Sequence, residues 1–150
     1  MRDYASLALR LALGLTFLYS VADRFGALGP HGAPNVSWGD FSRFTAYVGS
    51  LNWYLPHRFV SSLAWIDTAV EVLLGVALVI GLQLRFVSIV SAFLLLAFAI
   101  TMSVATGIGA PFAYSVFTAS AGAFLLAACH SSRWTLDKVT PEVKRQFGDR

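Results

Sequence analysis

The hydrophobic positions of this chain fall into blocks of about 20 residues with few polar interruptions, the length an α-helix needs to cross a hydrocarbon core of roughly 30 Å. Four spans are predicted, over about residues 5–25, 59–82, 86–105 and 111–129. The ten-residue alternation of barrel strands is absent, so helices are the crossing elements. The predicted fold class is all-α, a single integral membrane domain built as a four-helix bundle. The turns at 81–85 and 106–111 are too short for anything but antiparallel hairpins, which makes neighbours in sequence neighbours in space.

Between the first two spans the pattern changes. The stretch "GALGPHGAPNVSWGDF" opens a turn-rich loop. Phe41, Phe44, Val48, Leu51 and Leu55 then recur at three- and four-residue intervals, one apolar face of a helix over about 38–55. Ser37 with Asp40 fits a capping box at its start, and Pro56 marks its end. With Trp38, Tyr47, Trp53 and Tyr54 close by, the expectation is an amphipathic helix lying in the membrane interface. It is read either as an anchor that folds the loop over the bundle or as a lid over a binding site.

Composition agrees with the pattern. At 57% hydrophobic and 13% charged residues, the chain has about half the charge of a soluble domain. Its basic residues are uneven: Arg2, Arg10, Arg85, Arg133, Lys138, Lys144, Arg145 and Arg150 lie at the termini or the middle turn, against Arg24, Arg43 and Arg58 around the long loop. The positive-inside bias places both termini in the cytoplasm. The net charge of +3 thus reflects topology, and no nucleic-acid partner is expected. Ser20-Val21-Ala22 resembles a cleavage site, but Arg10 interrupts the apolar stretch before it, so the first block is read as an uncleaved helix. The tail over 130–150 is polar and is read as a cytoplasmic helix or docking segment.

Candidate chemistry is sparse. Cys129 is the one cysteine, which excludes an internal disulfide and a Cys-x-x-Cys relay. His31, His57 and His130 fall outside the predicted spans, so a bis-histidine haem is not expected, and Cys129-His130 could hold a metal only with ligands from elsewhere and is read as a packed thiol beside a solvated imidazole; no metal site and no intrinsic cofactor are assigned. Tyr19, Tyr114 and Met102 read as interface or packing residues.

The exception is Asp67 and Glu71 in "WIDTAVEVLLGVALVIGL". Four residues apart, they share one face of the second span with Ala64, Gly75 and Leu78. Eleven Leu, Ile and Val residues between Leu63 and Leu82 each favour insertion by roughly 0.3–0.6 kcal/mol, whereas an acid near the centre costs roughly 2.5–3.5. The helix is near break-even alone, so the acids are expected to face the bundle interior. Depth suggests Arg10 for Glu71, and Arg24 or the outer loop, with Tyr19 nearby, for Asp67. Three roles stay open: polar ties that fix helix register, a proton-accepting carboxylate beside a quinone or other redox partner, or the lining of a small-solute or ion path.

Two stretches carry a family resemblance. "ALRLALGLTFLYSVADRFG", with Arg10, Gly14 and Phe17, resembles the first helix of the DoxX family, and "TAVEVLLGVALVIGLQLRFVSIVSAFLLLAF", with Glu71, Gly75, Gly81 and Arg85, is similar to its central segment. The chain departs from that pattern at Val21 and Arg24. The resemblance implies a bacterial inner-membrane protein acting as a subunit or anchor of a redox system, with quinone as an external cofactor and Arg10, Glu71 and Arg85 as the residues to carry over. With no cofactor motif, no thiol pair and no nucleophile–base constellation in the sequence, service to protein partners, or a homo-oligomer, is expected rather than catalysis by this chain alone.

Overall fold

A computed structural model describes residues 2–128 and contains only helices among them. The first is α1 (Arg2–Arg24), followed after a long connection by α2 (Phe41–Leu51). α3 (His57–Ile80) and α4 (Leu84–Thr106) form a hairpin, and α5 (Gly109–Ala113) leads into α6 (Val116–Ala128). α1, α3 and α4 are each long and apolar enough to cross a membrane. Their limits fall within three residues of the expected spans, because length and apolarity are local properties of the chain.

The fourth expected span differs. Over 111–128 the helix breaks at Ser115, whose φ of +55° is left-handed, leaving a five-residue α5 and a 13-residue α6 in the described part. Thirteen residues rise about 20 Å, short of a full crossing. Cys129, His130 and the rest of the tail lie outside the described residues.

α1 packs on α3 and α6, and α4 packs on α6 and α3. The α3–α4 hairpin turns at Gly81, where φ of +75° suits a residue without Cβ and lets the Gly81 and Leu82 amides cap the Ala77 carbonyl. Small side chains bring the backbones together: a Cβ on Gly14 would lie 2.9 Å from Val79 Cγ2 and 3.0 Å from the Gly75 carbonyl. On the other side of the bundle, Ser88, Ser91, Ala92, Ala99 and Ala123 are fully buried, and Ser120 Oγ donates to the Ala92 carbonyl at 2.9 Å.

α1 is antiparallel to α3 and opposes only part of it. Arg10 lies level with Val79, Gly14 with Gly75 and Arg24 with Asp67, so residues 57–66 run about 15 Å beyond the end of α1. α2 fills that space as a roof. Its Phe44 and Val48 join Val60 and Ala64 in a second apolar cluster, which Trp38, Phe41 and Leu63 border. α2 is shorter than expected, and its ends differ. Asp40, not Ser37, is the N-cap, accepting from the Arg43 amide at 2.9 Å. Asp40's carboxyl is held below its ordinary value first by that backbone hydrogen bond. Pro56 does not end α2; it precedes α3, where its missing N–H has no helical partner to lose.

Candidate functional site

The bundle is apolar outside and holds a polar cluster within its apolar core. Leu73 is 69% and Val104 71% exposed, with Trp65, Ile66, Phe86, Phe93, Ile100 and Leu125 also outward. Arg10, Asp23, Arg24, Thr68, Glu71 and three α4 and α6 serines are buried instead. A surface of that kind is stable against hydrocarbon, not water.

The interior acids meet Arg24. Its Nη1 donates to Asp67 Oδ2 at 3.3 Å and to Thr68 Oγ1 at 2.9 Å, and its Nη2 donates to Glu71 Oε1 at 2.8 Å and to Ser20 Oγ at 3.3 Å. All four terminal N–H groups thus have acceptors. Glu71 Oε2 is also 2.8 Å from Nη2, an ionic contact without a hydrogen bond of its own. The side chains of Arg24, Glu71 and Asp67 are only 4%, 3% and 10% exposed. The guanidinium lies 3.7 Å from the ring centroid of Phe44, so the roof closes its remaining face by a cation–π contact.

Local geometry explains the convergence. Helical side chains lean toward their own N-terminus. From the end of α1, Arg24 therefore leans back beside Ser20, while Asp67 and Glu71 lean along α3 toward the roof, and the three heads meet. Thr68, one residue on from Asp67, bonds its hydroxyl to the Ala64 carbonyl at 2.8 Å and presents its oxygen to Arg24.

The neighbouring Asp23 does a different job. It accepts from the Ser37, Trp38 and Gly39 amides at 2.9, 3.1 and 3.2 Å, tying the long connection to the end of α1. Gly39 has φ of +71°, and a Cβ there would collide with the His31 backbone nitrogen. Tyr19, expected near Asp67, donates to the Asn35 carbonyl at 2.9 Å and secures the same connection.

Arg10 corrects the expectation for Glu71. Its Nη2 donates to the Val79 carbonyl at 3.5 Å, eight residues and about 12 Å along α3 from the acid. It too leans toward the start of α1, away from Glu71. Arg85 is exposed at the start of α4 and joins neither acid. Thr68, Ser20, Phe44 and Asp23 were not assigned to this site from the sequence. Ser20 had a signal, four residues before Arg24 on the same face; the roof contact of Phe44 had none.

Three apolar helices, an outward hydrophobic belt and a buried ionic cluster define a multi-pass membrane protein. Residues 2–112 match the family model described as methylamine utilisation protein MauE, and the chain belongs to that family. No curated protein and no solved structure matches it. The match overturns the DoxX resemblance, and the quinone that came with it loses its support. The shared features, glycines in a helix seam and a glutamate among aliphatics, are ones that close packing and a buried cation demand of many small membrane bundles.

Proposed function

We propose that this chain is a membrane accessory protein of an amine-oxidising redox system, held in the bacterial inner membrane with both termini in the cytoplasm. The observation that carries this reading is the family match over residues 2–112. Using methylamine as a nutrient requires oxidation of its C–N bond, so electrons leave the amine and must reach an acceptor. A chain with one cysteine holds no dithiol of its own, and service to a partner enzyme suits it better than turnover alone.

In this reading α1, α3 and α4 cross the bilayer, and α5 with α6 makes a fourth passage. α2 then lies in the outer interface, supported by Trp53 and Tyr54 at its exposed end. Arg24, Asp67 and Glu71 form the polar centre that holds α1 to α3 and seats the roof. A strain lacking the chain is expected to lose growth on methylamine and its methylamine-oxidising activity, while growing normally on ammonium. Unchanged growth and oxidation would overturn the role.

A second reading has one observation in its favour. Asp67 and Glu71 lie ten and fourteen residues past His57 in a helix of 24, close to its midpoint, where carboxylates mark proton and solute paths. It predicts flux in liposomes holding this protein alone, abolished in Glu71→Gln. Impermeable liposomes would remove it.

A further inference from the structure

Arg85 is left without a role once the DoxX resemblance falls, yet it lines a feature of its own. An open groove of about 420 Å³ runs along the start of α4, lined by Gln83, Arg85, Phe86 and Ile89. We infer that this groove binds an anionic phospholipid, with Arg85 on the headgroup phosphate and Phe86 and Ile89 along the upper acyl chain.

The first argument is the order of the lining. Gln83 lies in the α3–α4 turn and Arg85 at the second residue of α4, whereas Phe86 and Ile89 continue down the helix, three residues apart on one side. Polar groups come first, Phe86 follows one residue beyond Arg85 and Ile89 about 6 Å beyond it, the sequence of groups in an amphiphile entering a bilayer. The second is place. The turn joins two helices long and apolar enough to cross a membrane, so it lies at headgroup height when they do. The third is charge. Residues 80–90 contain one charged side chain, Arg85, and no acid, and Arg85 is exposed and forms no ion pair with a carboxylate among the described residues. A guanidinium presents paired donors to phosphate oxygens, and basic sites at helix ends on a membrane surface recognise anionic headgroups. Phe86, 64% exposed, supplies an apolar wall that free phosphate would not use.

The inference needs only that the chain spans a bilayer, and stands apart from the redox role. The test is native mass spectrometry of the full-length protein in detergent, titrated with phosphatidylglycerol or with phosphatidylcholine of the same chain length. One phosphatidylglycerol is expected to remain bound, at least about tenfold more tightly than phosphatidylcholine. Retention should fall about tenfold in Arg85→Gln, largely persist in Arg85→Lys, and be unchanged in Arg58→Gln at the other end of α3. Equal retention of the two lipids, or phosphatidylglycerol retention unaffected by Arg85→Gln, overturns the site. Displacement of the lipid by millimolar inorganic phosphate would mark a bare anion site and overturn it as well.

Discussion

At the scale of single residues, the molecule turns on Arg24. One guanidinium serves two carboxylates, a hydroxyl pair and an aromatic ring, so its removal leaves two buried acids facing each other. Arg24→Ala is expected to cost about 3–5 kcal/mol, the range for breaking a buried ion pair from one side, read as a loss of helicity at lower SDS fraction in mixed micelles. Asp67→Asn should cost under about 1 kcal/mol, because its bond is the longer one and Arg24 with Glu71 then stands as a balanced pair. Replacing all three by Met and Leu of similar volume should recover most of the Arg24→Ala loss; failure to recover would show that the charges do more than neutralise one another. Asp23→Ala makes a separable prediction. It strips the acceptor from three amides and should speed hydrogen exchange at Ser37, Trp38 and Gly39 while α1 and α3 stay protected.

At the scale of elements, the α1–α3 seam depends on two facing glycines. Gly14→Val would press against Val79 and the Gly75 carbonyl, a backbone obstacle that cannot rotate away. A destabilisation of about 1–3 kcal/mol is expected, measured by the same SDS titration. Gly122→Ala meets only the flexible end of Leu9 at 3.3 Å and should be tolerated. The cap of α2 carries a pH prediction. Asp40's pKa is depressed on folding, so its contribution is fully present above the ordinary value of 3.8 and is lost as pH falls through the lower folded value. Exchange at the Arg43 amide should therefore rise only below about pH 4, and an onset near neutrality would show that another group controls the cap.

At the scale of the whole molecule, the helix pattern leaves one decision to geometry. Ser115 interrupts the last apolar block, so the number of crossings depends on how α5 and α6 sit in the bilayer. Cysteines introduced at residue 4 and near residue 128 of a Cys129→Ser chain should both be protected from an impermeant thiol reagent added outside intact cells, and one placed at Ser42 should react. Labelling at residue 128 instead would mean an odd number of passages. The three long helices, their approximate ends, the inward face of Asp67 and Glu71 and the existence of α2 are legible in the residue order, because hydrogen bonds four residues apart and a 3.6-residue period are local. That Arg24 rather than Arg10 serves both acids, that α2 roofs the end of α1, and that Asp23 ties the loop beneath it emerge from the packing of the helices. Those pairings follow from how far α1 reaches along α3 and from the tilt of each side chain toward its helix's start, and no spacing within one helix encodes the offset between two.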